Sequence, residues 1–333
     1  MQHQPSQKKV QFLFSFGCHR DGKDFEKAKK EAEKFKPHVY AEEYAFQTRA
    51  ERKQLVPLLA TSISRARNDF FFKRQLLDTA LKGNQFEGFF QAELEYIIDA
   101  KYRSDFSHQP FAYPLEAHVR NFHSKTVAKH EEMKRQAIQL LYEGDIGKAI
   151  SLCLDAEKLM AKSNYKRDRD IVQNMKDFAA EAVSLIPKLQ MFNPLKVFVR
   201  LGHLHTPAYL MALKEYGKNS GFSIDRRMDD SKAHRFNPAE WIGRAYIFNK
   251  SVDTDWALGS LLLDITITMH SYRNNNKLDL SKSNEAVKVI SRLEKRQVRE
   301  LFENAARNKT GLTFNQWIFF IGSEVERLAA IQP

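Results

Sequence analysis

The sequence predicts an α/β fold: a central, mostly parallel sheet with helices on both faces, a long helical insert and a C-terminal helical subdomain. Three observations predict it. Val10 to Phe16 is an apolar run that stops at Gly17, as a buried strand does when it enters a turn. "DFEKAKKEAEKFK" then sets Phe25, Ala28, Ala32 and Phe35 three and four positions apart, so one stripe of a helix is apolar and the rest is charged. Pro37 ends that helix and "HVYAEEY" follows as a short strand. Strand, helix and strand within about 35 residues form a βαβ unit, whose crossover makes the two strands parallel.

The later elements continue the pattern. Residues 48–103 read as helical, with breaks at Pro57 and at 83–88. "PFAYPLEAH", 110–118, is a third strand, which Pro114 assigns to an edge or a strand end. An insert at about 119–189 is helical, and "AIQLLYEGDIGKAISLCLDAEKLM" within it resembles one tetratricopeptide-like hairpin; a single copy makes no solenoid. "LKVFVRL" is a fourth strand, 206–217 a helix, and "GFSIDRR" a fifth strand. Beyond Asn237 no strand pattern remains. Trp241, Ile242, Tyr246, Trp256, Leu301, Phe302, Trp317 and Phe320 suit packed helices, and Thr313 suits an N-cap. The expected division is a core domain at 1–236 and a helical subdomain at 237–333.

Lys and Arg number 53 against 41 Asp and Glu, a formal balance of +12 that attracts anions. The excess is spread along the chain and no nucleic-acid-binding motif occurs, which argues against a nucleic acid partner. The only cysteines, Cys18 and Cys153, form no disulfide framework and suit a reducing compartment such as the cytoplasm. Val10 to Cys18 follows Lys8 and Lys9 as a secretion leader would, but it is short, is interrupted by Gln11 and Ser15, and lacks a small-residue cleavage site. No segment reaches the ~20 apolar residues of a membrane span. The longest candidate, Trp256 to Met269, contains Asp264 and reads as a buried helix.

Four stretches, "FSFGCH", "HVYAEE", "PFAYPLEAH" and "FVRLGHLH", put ionisable residues at the C-terminal ends of expected strands. In parallel sheets ligands bind at that edge, because the loops there converge beyond the strands. The candidates are His19, Glu42 or Glu43, Glu116 or His118, and His203 with His205. In extended backbone His203 and His205 point the same way and can grip one metal ion. If the chain turns at Gly202 they diverge and only one reaches the site; the plainer reading is a helix-capping histidine beside Pro207, where Thr206 is the natural cap. Glu42 and Glu43 face opposite sides of a strand, so only one serves a given site. Cys18 beside His19 suggests a thiol nucleophile, although a small apolar residue under a turn is the commoner role. In "YKRDRDIVQNMKDF", Arg167 or Arg169 precedes the apolar stripe Ile171, Met175, Phe178; such an arginine reaches an anion or pairs on the surface with Asp168 or Asp170.

In their order these pieces resemble the TraB/PrgY superfamily, which includes the TIKI proteases, the erythromycin-esterase-like proteins and the ChaN-like haem binders. Its members share a G-x-x-H after the first strand, a glutamate ending the next in P-D-x-V-x-x-E, an R-D or R-N pair opening a helix, and a second G-x-x-H. Gly202, His203, Leu204 and His205 match the last motif in full. "PHVYAEE" matches the glutamate motif by spacing, with His38 in place of aspartate, and selects Glu43. "RDRDIVQNM" matches with Arg167 and Asp168 as the pair and Arg169 as the fallback. The first motif departs: Phe16 stands three before His19, and Gly17 two before it. The similarity covers roughly residues 10–226.

The resemblance implies two related halves that bring the histidine loops together, and hydrolysis of an ester or amide bond in a small-molecule or peptide substrate. It implies a site of His19, Glu43, Arg167 and His205, with Glu116 and His203 behind them. In the metal-dependent version His19, Glu43, His205 and His203 hold a divalent ion (Mn, Zn or Co) that activates water, and Arg167 stabilises the oxyanion; in the metal-free version His19 or His205 is the general base and Glu43 orients it. The alternative implied by the same scaffold is a non-catalytic protein that binds haem or a peptide.

Overall fold

The structure, a computed structural model, describes residues 9–17, 22–42, 49–81, 87–100, 111–114, 120–202, 205–218, 221–228, 238–274, 286–290 and 292–331. Five strands form one all-parallel sheet: β1 (Val10–Gly17), β2 (Val39–Glu42), β3 (Phe111–Pro114), β4 (Leu195–Gly202) and β5 (Phe222–Met228), in the spatial order β3-β2-β4-β1-β5. The helices are α1 (Gly22–Phe35), α2 (Arg49–Ala66), α3 (Phe70–Leu81), α4 (Glu87–Asp99), α5 (Arg120–Glu143), α6 (Ile146–Leu185), α7 (Thr206–Tyr216), α8 (Pro238–Ile247), α9 (Thr254–Arg273), α10 (Lys295–Arg307) and α11 (Phe314–Ile331).

Strand alternation explains why the sheet needs helices on both faces. Phe12, Phe14 and Phe16 point to one side, where they cluster with Val197, Val199 and Leu201 of β4 and with Ile171, Val172, Met175 and Phe178 of α6. Leu13, Tyr40 and Phe198 point to the other, against Phe25, Ala28 and Ala32 of α1 and Tyr96 and Ile97 of α4. Phe12, Phe14 and Phe16 are fully buried, and each contributes about 2 kcal/mol of transfer free energy. The stripe read from "DFEKAKKEAEKFK" is therefore the face of α1 that covers the sheet.

Two local expectations are corrected. Pro57 lies inside α2 rather than ending it. Proline gives up its own N–H bond and crowds the carbonyl four residues back, yet the helix runs on to Ala66, and the Thr61 Oγ1 hydroxyl donates to the Pro57 carbonyl at 2.9 Å. The break comes instead after Ala66, where Asp69 accepts from the Phe72 amide at 2.9 Å and starts α3. Thr206 is the first residue of α7 and not its cap; the N-cap position belongs to His205.

The chain divides into two compact units, Met1–Arg120 with Lys166–Asp229, and Asn121–Tyr165 with Asp230–Pro333. The sheet lies in the first. In the second, α5 and the start of α6 pack on the C-terminal helices: Ala137, Ile138, Leu141 and Cys153 share a core with Leu258, Leu261, Phe302 and Trp317. The early part of the expected insert thus groups with the expected C-terminal subdomain, because the apolar faces of the hairpin are buried there. Gly144 turns that hairpin at φ +97°, a conformation costly for any residue with a β-carbon. Trp256 to Met269 lies in α9, most of it buried, and no described helix is long and apolar enough to cross a membrane. Thr313 opens α11 as expected, exchanging hydrogen bonds with Gln316.

Candidate active site

The register of the sheet places side by side the ends of the two strands that lead into the histidine motifs. β1 and β4 are neighbours, and their last residues, Gly17 and Gly202, are paired. On the other side of β4, Glu42 at the end of β2 is level with Arg200, and Pro114 of β3 is level with Glu42. Four strands that the sequence ends in ionisable residues therefore finish along one edge. His19, Cys18, Glu43, Glu116, His118 and His203 fall outside the described residues.

His205 follows β4 directly and occupies the N-cap position of α7, with no capping bond from its side chain. The imidazole turns instead to α6, where its Nδ1 stands 2.6 Å from Oδ1 of Asp168. Both side chains are buried, His205 at 1% exposure and Asp168 at 0%. A carboxylate placed there fixes the tautomer: Nδ1 carries the proton shared with Asp168, and Nε2 carries the lone pair. This is the orienting relationship that makes histidine a general base, and also the one that prepares a ligating histidine through an outer carboxylate.

Arg167 precedes Asp168 on α6 and is half-buried, while Arg169 is exposed. Successive helical residues differ in direction by about 100°, so the residue of the R-D pair that meets His205 is the aspartate. Sequence reasoning named Asp168 as the second member of the R-D pair and as a surface partner for arginine, and gave it no role in the site. Its signal was the apolar spacing itself: Asp168 lies three before Ile171 and seven before Met175, on the buried face of the helix.

A second buried ionic group supports the same edge from the opposite face of the sheet. Arg200, 1% exposed, donates from Nη1 to Ser15 Oγ at 3.2 Å, and its Nε lies 3.6 Å from Glu93 Oε1. Tyr40 donates its hydroxyl to the same carboxylate oxygen at 3.1 Å. A buried guanidinium is tolerable only with such partners, because desolvating an isolated charge costs several kcal/mol or more. The guanidinium also lies against Gly17: a β-carbon there would stand 2.0 Å from Nη2. A residue larger than glycine at the end of β1 would therefore have to displace the guanidinium of the neighbouring strand. The sequence reading missed Arg200 and Glu93, although a lone charge in the apolar run "VFVRL" was visible.

His38 serves the other end of the strands. Its Nδ1 accepts from the Lys196 amide at 3.0 Å, and its ring stacks on Phe192 with centroids 3.8 Å apart. The His38 imidazole is therefore a fastening between β2 and β4.

Among the described residues no three His, Cys, Asp or Glu side chains converge as a metal cage would. The Asp168–His205 pair fits a metal site in one respect: with Nδ1 engaged, Nε2 is the nitrogen that a cation would use. No family model, curated protein or solved structure matches this chain.

Proposed function

We propose that this protein is a hydrolase of the TraB/PrgY type, acting on an ester or amide bond at the edge where β1, β2 and β4 end. The observation that carries the reading is the buried Asp168–His205 pair, set directly after β4, whose Gly202 is paired with Gly17 of β1. The four ordered motifs support it. In this reading His205 Nε2 takes a proton from water as the resulting hydroxide adds to the carbonyl carbon. Asp168 stabilises the imidazolium that forms. The proton then passes to the leaving oxygen or nitrogen as that bond breaks, releasing a carboxylic acid and an alcohol or amine. Arg167 is the cation assigned to the developing oxyanion. The group of Arg200, Glu93, Ser15 and Tyr40 holds the strand ends in place beneath the reacting groups.

In a metal-dependent version a divalent ion would be held by His205 through Nε2, with His19, Glu43 and His203 as the expected further ligands and Asp168 as the outer partner. Such an ion would supply Lewis acidity and lower the pKa of bound water.

The near-complete burial of both side chains favours a second reading, in which the pair only fastens α7 to α6. Hydrolysis of a panel of chromogenic esters and anilides separates the two. As a hydrolase, the protein turns over at least one of them, and His205→Gln lowers kcat by about 10²–10⁴-fold while the fold is retained by circular dichroism. Turnover unchanged in a folded His205→Gln protein would leave the fastening role alone.

A further inference from the structure

The helical unit contains a cavity of about 600 Å³ between the middle of α6 and the end of α8. Three of its nine lining residues are lysines, Lys158, Lys162 and Lys250, and none is acidic. Lys158 and Lys162 are one helical turn apart and so share a face of α6. Tyr165 continues that face, while Tyr246, Asn249 and Lys250 line the cavity from the α8 side. We propose that this cavity binds a small phosphorylated ligand with a planar ring, of about mononucleotide size, its phosphates on the lysines and its ring against the tyrosines.

The charge arrangement carries the proposal. Like charges one turn apart on a helix are destabilising by a few tenths of a kcal/mol, and a concave wall brings a third beside them. Three other lysines of this unit are neutralised: Lys148 by Asp145, Lys295 by Asp253, and Lys134 by Glu157 and Asp264. Among the described residues no ion pair engages Lys158, Lys162 or Lys250, and Lys158 instead stands 5.8 Å from the centroid of the Tyr246 ring. An anion seated here would relieve the repulsion and collect three charge-assisted hydrogen bonds.

Local backbone structure explains how Lys250 comes to the cavity wall. Asn249 adopts φ +51°, which ends α8, and the Lys250 amide closes onto the Ala245 carbonyl at 2.8 Å. The amides at this helix end are thereby used internally, so an anion is met by side chains. Burial, with Asp155 nearby, raises the Tyr246 hydroxyl above its ordinary value and keeps it a proton donor at neutral pH. The volume exceeds the need of inorganic phosphate and falls within the range of small-ligand sites. Two tyrosine rings offer the faces on which a planar group stacks.

Isothermal titration of the full chain with ADP, pyrophosphate and adenosine at low salt tests this. ADP is expected to bind saturably below about 1 mM, and more tightly than either of the others. Affinity for ADP falls about tenfold or more in Lys158→Ala/Lys162→Ala, and falls in the wild type as salt is raised. Tyr165→Ala weakens ADP while leaving pyrophosphate unchanged. The lysines are exposed, so the double variant keeps the fold, which circular dichroism verifies. No saturable heat with ADP or pyrophosphate, or ADP binding unaltered by the double substitution, would overturn the proposal. Equal affinity for ADP and pyrophosphate would overturn the assignment of the ring.

Discussion

A β-carbon on Gly17 would lie 2.0 Å from Nη2 of Arg200. The last residue of β1 is therefore small because the neighbouring strand stores a guanidinium beneath it, and the two residues form a single feature of the site edge. Gly17→Ala is expected to expel Arg200 from its place beside Ser15 and Glu93, at a cost of about 2–3 kcal/mol. Arg200→Ala alone is also destabilising, because it strands Glu93. Urea denaturation of both single variants and the double variant checks this: the double should be more stable than the sum predicts, by about 1 kcal/mol or more. Simple additivity would mean that the two side chains do not compete for the same space.

Asp168 and His205 should behave as one unit. Removing the acid by Asp168→Ala leaves a buried imidazole without its carboxylate and should cost about 2–4 kcal/mol. Asp168→Asn keeps the shape and a hydrogen bond, so it should cost less in stability. If the pair is catalytic, the same substitution still lowers kcat by at least about 10²-fold, because the amide cannot stabilise an imidazolium. Melting temperatures measured beside turnover separate these effects.

Acid should act on the helical unit through Glu157. Burial alone would raise this carboxyl, but the Lys134 ammonium 2.8 Å away and nearby His130 reverse the sign and bring it from 4.5 to about 2. A carboxylate held below its unfolded value contributes stability above pH 4.5 that is lost as the pH falls toward about 2. Asp264, raised by burial, acts in the opposite sense, so the Glu157→Gln variant is the clean comparison. Stability measured from about pH 6 down to about pH 2 should fall less steeply in Glu157→Gln than in wild type.

Lys134 holds that cluster together. Burial works to lower its pKa, yet Asp264 and Glu157 outweigh this and keep the ammonium well above the ordinary lysine range. Lys134→Met leaves two carboxylates facing each other in the helical core and should cost about 3–5 kcal/mol. Adding Glu157→Gln to that variant should restore part of the loss; thermal denaturation of the two proteins decides it.

Cys153 should be chemically silent in the folded chain. It is fully buried, and burial pushes its thiol up to about 12, so almost no thiolate exists at neutral pH. Iodoacetamide followed by peptide mapping should find Cys153 unmodified in native protein and alkylated in denaturant. Rapid native labelling would show that the α5–α6 hairpin opens readily.

Local patterns were enough to identify the strands and the principal helices. The apolar run of β1, the stripe of α1 and the glycines that end β1 and β4 are properties of neighbouring residues, and short-range geometry acts on those directly. Parallel orientation followed too, because a helix between two strands returns the chain in the same direction. The sequence also marked which strands end in ionisable residues. Pro57 and Thr206 misled for a common reason: each was judged by its usual local role, and in the folded chain a longer helix and the His205 position took precedence.

The partners of the charged groups were decided only by the tertiary structure. Asp168 is 37 positions from His205, and Arg200 is 185 from Ser15 and more than a hundred from Glu93. No periodicity reaches over such intervals. Sheet order set β4 between β1 and β2, and through that one choice Gly17 came to lie over Arg200 and the end of β2 to lie level with it. A buried charge cannot remain alone, so once the strands were ordered each of these side chains took the partner within reach. The sequence determined which residues would stand at the sheet edge, and long-range packing determined which of them would meet.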